Sequence, residues 1–361
     1  MSWPSSLHRR GPFGAAAGGF CTEATKPNLV LGSVSYPQQE PRSHARGGAP
    51  GWWPADKTRV LARLSNNAGT HQHMVLEFLH VPEANLYKSE PPPQWFGNPG
   101  NASDATWTNA NWLKSRFHFS FAEYRNPKNT QFGCLRVMND DLVQGERGFG
   151  EHPHRDVEIV TYIVDGELTH GDSMSRGDRQ TLGRGSVQFM TAGTGISHSE
   201  HNLQDSPLRF IQIWITPHSR DLAPAYGGFD GTTADAIAAR KNKLAQLAGD
   251  ARVTSSTAPI RLQQDCSLYV SELEPSQQVT LRLGHGRQAY VLCVEGTLTV
   301  GDAISSSAAS LAMERHDAAE VRGEGELCLT SSADGPAHVL LLEMAAGPGG
   351  RGPGTWPMHL G

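Results

Sequence analysis

The sequence predicts an all-β chain of two tandem β-barrels, with a connecting helix between them and an irregular N-terminal extension in front. Three observations carry that expectation. From Trp112 onward, short apolar runs at 132–137, 157–164, 187–190 and 208–215 alternate with turn residues, the spacing of a β-sandwich or barrel. The same texture resumes after residue 255, at 267–273, 278–283, 289–294, 297–300, 326–329 and 339–344. Gly and Pro are also abundant, 39 and 23 among 361 residues, against roughly 12% usual for the two together. That excess favours short strands and tight turns over long helices.

Residues 1–26 carry Arg9 and Arg10 but no acid before Glu23, the composition of an organellar transit peptide. Pro4, Gly11, Pro12 and Gly14 break any amphipathic helix there, so a disordered tail is the competing expectation. Residues 27–111 are polar and punctuated by Pro91-Pro92-Pro93 and Gly97-Asn98-Pro99-Gly100, with one compact apolar stretch at 74–81. They read as an extension packed loosely on a domain. Residues 112–232 form the first barrel. Within it, Asp165-Gly166 separates two apolar runs and signals a hairpin, because Asp-Gly suits a two-residue turn with φ > 0. Residues 233–254 form the connector, with Ile237, Leu244 and Leu247 at helical spacing over 233–249. Residues 255–346 form the second barrel, and 347–361 a Gly/Pro-rich tail. The run Tyr162-Ile-Val-Asp-Gly166 resembles Tyr290-Val-Leu-Cys-Val-Glu-Gly296, an apolar strand entering an acidic-Gly turn, so the two barrels share a plan.

Composition excludes several function classes. Lys and Arg total 31 against 36 Asp and Glu, net −5, with no basic run, which argues against direct nucleic-acid binding. No apolar run approaches the ~20 residues of a membrane span, so the expectation is a soluble, intracellular chain, cytoplasmic or nuclear, unless residues 1–26 address it to a mitochondrion or plastid. The five cysteines are scattered without a CxxC pair, as buried free thiols of a reducing compartment are.

Chemistry concentrates in histidine pairs. Sixteen histidines yield about 0.7 His-x-His pairs by chance, so the motif alone says little. Two occur, His71-Gln72-His73 and His152-Pro153-His154. Positions i and i+2 of a strand share a face, so His152 and His154 can aim two imidazoles at one point. A second such pair follows, His198-Ser199-Glu200. If the turns at 165–166 and 183–185 return the chain, the second pair lies beside the first. Three neutral nitrogens and one carboxylate then converge, a donor set for Fe(II), Mn, Ni, Cu or Zn with coordination positions left open. His71 and His73, even with Glu77 nearby, lack a downstream Gly turn and a second pair and are set aside. His80, His118, His170, His201 and His316 read as surface or hydrogen-bonded core groups.

The stretches Trp112-Leu-Lys-Ser-Arg-Phe-His-Phe-Ser-Phe121, Gly150-Glu-His-Pro-His-Arg-Asp-Val-Glu-Ile-Val-Thr-Tyr162 and Met190-Thr-Ala-Gly-Thr-Gly-Ile-Ser-His-Ser-Glu200 resemble the pirin family. The resemblance is strong over 112–217, fair to 344, and absent from the first 110 residues. It implies a bicupin, two cupin (double-stranded β-helix, jelly-roll) barrels. It also implies one divalent transition metal per chain, Fe(II), held by His152, His154, His198 and Glu200. Glu158 occupies the fourth-ligand position of general cupins, which pirins keep without using it for metal. The second barrel, with only His285 and His316 near corresponding positions, is expected to be metal-free and structural. The implied activity is that of a quercetin 2,3-dioxygenase, in which O2 opens a flavonol ring with release of carbon monoxide. Glu200 would then be both ligand and proton acceptor, with Phe149, Phe189 and Met190 walling a pocket for the flat substrate. The rival expectations are an iron-dependent, redox-sensing regulator that binds partner proteins, and another cupin oxidoreductase. The chain is expected to act as a monomer.

Overall fold

Each half of the chain builds one large and one small sheet, antiparallel but for the parallel pair Ala245–Asp250 and Ile260–Leu262, whose inner faces enclose a core. The structure, a computed structural model, describes residues 76–98, 112–174, 178–303 and 310–347 and the backbone of 59–61, all within one unit, Ala49–Leu360. The segment 1–26, the pair His71 and His73, and all but the first residue of the tail 347–361 lie outside the described residues.

In the first barrel the large sheet has the order Ala225–Phe229, Val187–Thr191, Glu158–Asp165, Leu208–Ile215, Leu135–Val143, Leu113–Phe117, Tyr87–Ser89. Its small sheet runs Arg147–His154, Ile196–Asn202, Leu168–Asp172, Arg179–Leu182. The second barrel repeats the plan. The strands Ala318–Arg322, Arg287–Glu295, Ala337–Ala345 and Cys266–Leu273 stand in the order of their counterparts Val187–Thr191, Glu158–Asp165, Leu208–Ile215 and Leu135–Val143. Its small sheet, Gln278–Leu283, Gly325–Ser331, Thr297–Asp302, Leu311–Glu314, does the same. The internal repeat read at Tyr162 and Tyr290 therefore extends through both jelly rolls.

The two acidic-Gly turns are corners rather than hairpins. Strand Glu158–Asp165 is already bonded on both sides, to Val187–Thr191 and Leu208–Ile215, so the chain leaving it has no free edge and crosses to the small sheet. Glycine is needed there twice over. Gly166 and Gly296 have φ of +79° and +76°, and a Cβ would stand 3.0 Å from the Pro207 oxygen at the first and 2.0 Å from the Pro336 oxygen at the second.

Strand Glu158–Asp165 is buried on both faces as far as Val164. Its Val160, Tyr162 and Val164 join a core that draws on both barrels, together with Leu268, Tyr290 and Leu340. Its other face lines the first barrel's interior, where the two interiors differ. The second barrel is filled by one continuous apolar cluster. In the first, apolar packing splits into a group around Trp112, Ile163 and Phe210 and another around Ile159, Met190 and Ile196. Thr161 sits between the two groups along its strand, as Gln212 does between Phe210 and Trp214. That polar layer holds the site.

The apolar stretch singled out within the extension is a strand. Glu77–Val81 pairs with Ala318–Arg322, and Leu76 and Phe78 are fully buried in the second barrel's core. Tyr87–Ser89 pairs with Leu113–Phe117 of the first barrel. The connector helix is shorter than its periodicity predicts. It spans Ala234–Arg240, with the Thr233 hydroxyl accepting from the Ala236 amide. Asn242, at φ +55°, breaks it. Ala245–Asp250 is then a strand along Cys266–Leu273, because Leu247 and Ala248 enter the shared core. Burial and strand pairing override the helical spacing of Leu244 and Leu247. Among the described residues no helix is long and apolar enough to cross a membrane.

Candidate metal centre

Strands Arg147–His154 and Ile196–Asn202 are antiparallel neighbours, with His198 opposite His152 and Ile196 opposite His154. Opposed and i+2 residues share a face, so three imidazoles meet. His198 Nε2 lies 3.0 Å from both His152 Nε2 and His154 Nε2, and the donor atoms of the trio all fall within 4.8 Å of one another. Among the described residues this is the group of His, Cys, Asp or Glu side chains able to hold a metal ion.

The outer nitrogens dictate what the inner ones offer. His152 Nδ1 donates to the Gly150 carbonyl at 2.8 Å, leaving its Nε2 lone pair bare. His198 Nδ1 is 3.0 Å from His170 Nε2. His170 Nδ1 lies 3.8 Å from Asp172 Oδ2, too far for a hydrogen bond, and is buried without a hydrogen-bond partner. Burial keeps all three rings neutral. It lowers His152, takes His154 to about 3 and, with the neighbouring histidines, holds His198 well below the usual range. Three buried, neutral imidazoles with their ring nitrogens gathered within 4.8 Å are a nitrogen donor set that fits a divalent transition metal.

Glu200 lies on the same face of its strand as His198, past a bulge in the pairing, and is fully buried. Its carboxylate falls outside the histidine cluster and accepts from Thr161 Oγ1 at 3.1 Å and from Gln212 Nε2 at 3.2 and 3.0 Å. Burial raises it to about 7, against the lowering effect of those two partners. Glu158 is turned elsewhere. One oxygen accepts the Gln263 amide at 2.8 Å, at the entry to the second barrel, and the other is buried with no partner. Burial raises Glu158 too, to about 7.

The sequence reading places His170 among surface or hydrogen-bonded core groups, as it is here, and does not mark Thr161 or Gln212. His170 orients His198 and stacks on Tyr226 at 4.9 Å, nearly parallel. Gln212 and Thr161 hold Glu200. No spacing rule marks them, since they come from strands other than those of the histidine pairs. Of the expected aromatic wall, Phe149 packs near His152, with ring centroids 6.5 Å apart, and Met190 lines the lumen beside Glu200. Phe189 also lines that lumen and belongs to the core common to both barrels.

Among the described residues the second barrel shows no counterpart of the site. Matching the paired strands places Leu281 and Leu283 where His152 and His154 stand, and Leu327 and Leu329 where His198 and Glu200 stand. These leucines pack in or against that barrel's apolar core and offer no donor. His285 is largely exposed, and His316 bonds Asp140 at 2.6 Å.

Two jelly rolls in one chain, with a histidine trio in the first among the described residues, define a bicupin with a candidate metal site. A family model described as Pirin matches residues 101–215, and one described as the quercetinase C-terminal cupin domain matches residues 253–344. The chain belongs to the pirin family. It is 34% identical over 244 residues to the quercetin 2,3-dioxygenase of Escherichia coli K12, covering 67% of this chain and 96% of that protein. It is 35% identical over 234 residues to a pirin-like protein of Caulobacter vibrioides, covering 65% and 93%. The crystal structure of bacterial pirin YhhW from Escherichia coli in complex with nickel(II) superposes with a TM-score of 0.57 at 27% identity, covering 74% of this chain and 99% of that one.

Proposed function

We propose that this chain is a metal-dependent dioxygenase that opens flavonol-type substrates such as quercetin with O2. One divalent transition metal per chain, Fe(II), would be held by His152, His154 and His198, with Glu200 as fourth ligand. The observation that carries the reading is the convergence of three neutral imidazoles whose ring nitrogens gather at one point. Relatives named quercetin 2,3-dioxygenase and a nickel(II)-bound pirin support it.

When bound, the metal supplies Lewis acidity toward an anionic oxygen. The remaining work falls to the chain's own residues. Glu200, held by Thr161 and Gln212, takes the proton of the flavonol 3-hydroxyl. His170 keeps the His198 ring oriented. Phe149 and the Trp214 ring, 4.8 Å from that of His154, give an apolar flank for a planar substrate.

Anaerobic loading with Fe(II), followed by O2 uptake with and without quercetin, tests the reading. Flavonol-dependent uptake with carbon monoxide release is the expected result. Iron-loaded protein that consumes no O2 with the flavonol would refute it and favour the regulator. Elemental analysis should find one metal per chain, and two tightly held metals would contradict the leucine-filled second barrel.

A further inference from the structure

We propose that the segment Pro93–Asn98, from the N-terminal extension, is a built part of the metal centre, with Phe96 the positioning residue that holds the His152 ring. Strand Arg147–His154, which supplies two of the three imidazoles, is the outermost strand of its sheet, bonded only to Ile196–Asn202. Pro153, lacking an N–H, is tolerated on such an edge. An edge strand is a poor mount for ligands that must stay within tenths of an ångström, and Asn98 covers it. Its Nδ2 donates to the Gly148 carbonyl at 2.8 Å and its Oδ1 accepts the Gly148 amide at 3.0 Å, as a neighbouring strand would.

Two residues earlier, Phe96 meets the ligand itself. Its ring stands edge-on to His152, with centroids 6.2 Å apart, and packs on Phe149 at 5.2 Å and Trp112 at 5.6 Å. Its carbonyl also lies over Gly150, where a Cβ would come within 3.3 Å. Gly150 is the residue whose carbonyl orients His152 through Nδ1. Phe96 thus presses on His152 both ring to ring and through the peptide that fixes its tautomer. The segment is stiff: prolines 91–93 lead into the short helical turn Pro93–Phe96, which ends on Gly97 at φ +72°. The family model begins at residue 101, after this segment. The extension therefore adds to the centre something the matched portion does not include.

Co(II) binding reads this role without relying on turnover. Affinity is measured by competition with a chromophoric chelator, and ligand geometry by the visible absorption of the bound Co(II). Phe96→Ala should weaken binding by the ~10–100-fold typical of losing a group that orients a ligand, and should alter the Co(II) spectrum. Phe96→Tyr, which keeps the ring, should restore both. Asn98→Ala should weaken binding in the same way and serves if Phe96→Ala does not fold. Trp95, about 43% exposed, is the surface control, and Trp95→Ala should change neither. Unchanged affinity and spectrum in folded Phe96→Ala or Asn98→Ala would overturn the proposal. The role presupposes that the trio binds metal. A His152→Ala variant that holds Co(II) as tightly as the parent would defeat that prior reading instead.

Discussion

Replacing Glu200 with Gln separates metal binding from proton transfer. The carboxylate makes three hydrogen bonds, one from Thr161 and two from Gln212. A glutamine keeps one accepting oxygen but turns an NH2 group toward Gln212 or Thr161, so the layer loses about one bond, roughly 1–3 kcal/mol. Against this, the substitution removes a charge whose burial raises its protonation to about 7. A carboxyl raised in the folded state loses stability as pH climbs from its unfolded value of 4.5 through 7. The variant is spared that loss, so the fold should survive at pH 8. Three imidazoles should still retain metal at reduced affinity. What disappears is the base, and turnover should fall ~10²–10⁴-fold, or about 3–5 kcal/mol in the barrier. The partner experiment is Glu158→Gln, which keeps an oxygen for the Gln263 amide and should leave metal content unchanged. Elemental analysis and quercetin-dependent O2 uptake on both variants give the answer. Metal lost from Glu158→Gln but kept by Glu200→Gln would make Glu158 the fourth ligand. Full turnover in metal-loaded Glu200→Gln would end the proton-acceptor role.

Arg209 Nε and Nη2 donate to the buried Asp140 carboxylate at 2.8 and 2.7 Å, and Nη2 also reaches the Val294 carbonyl of the second barrel at 2.9 Å. Arg209→Met should therefore destabilise the chain by about 3–5 kcal/mol in urea unfolding, with Asp140→Asn recovering part of it; a loss near zero would remove this pair from the barrel junction. Asp141, accepting from Ser115, is raised by burial to about 8. Between pH 4 and 8 the folded chain keeps a proton that the unfolded chain has released, so stability should fall with rising pH by up to about 1.4 kcal/mol per pH unit. Asp141→Asn should flatten that slope, and an unchanged slope in the variant would assign it to another group. Phe78→Ala should cost about 3–5 kcal/mol, as a buried aromatic does; an unchanged melting temperature would show that Glu77–Val81 adds nothing to the second barrel.

The barrels, their repeat and the pairing of the two ligand strands were legible because each rests on local pattern. Period-two apolar runs mark strands, and His152, His154 and His198 repeat the i, i+2 rule. Failures came where distant pairing decides. Asp165-Gly166 has the residues of a hairpin, but whether the next strand bonds back depends on which edges are already taken. Leu244 and Leu247 keep helical spacing, yet the strand Ala245–Asp250, which contains Leu247, pairs with Cys266–Leu273 some twenty residues later. Strand Glu77–Val81 finds its place on Ala318–Arg322, about 240 positions along the chain. His170 and Gln212 enter the site from strands that carry no ligand pair of their own. Positions that orient a ligand carry no spacing signature, because any strand crossing the same lumen can supply them.

The docking of Glu77–Val81 on Ala318–Arg322 also dictates a timetable. A chain leaving the ribosome exposes Leu76 and Phe78 long before their partners Val321 and Leu327 exist. The last strand, Ala337–Ala345, lies in the middle of its sheet, between Arg287–Glu295 and Cys266–Leu273. The inter-barrel face of Glu158–Asp165 therefore stays bare until nearly the whole chain has been made, although the residues of the histidine trio are all present by position 198. Contacts this remote in sequence make for slow folding. Until those partners are made, the face of Glu158–Asp165 that joins the shared core stays apolar and uncovered, the kind of surface that favours aggregation during folding.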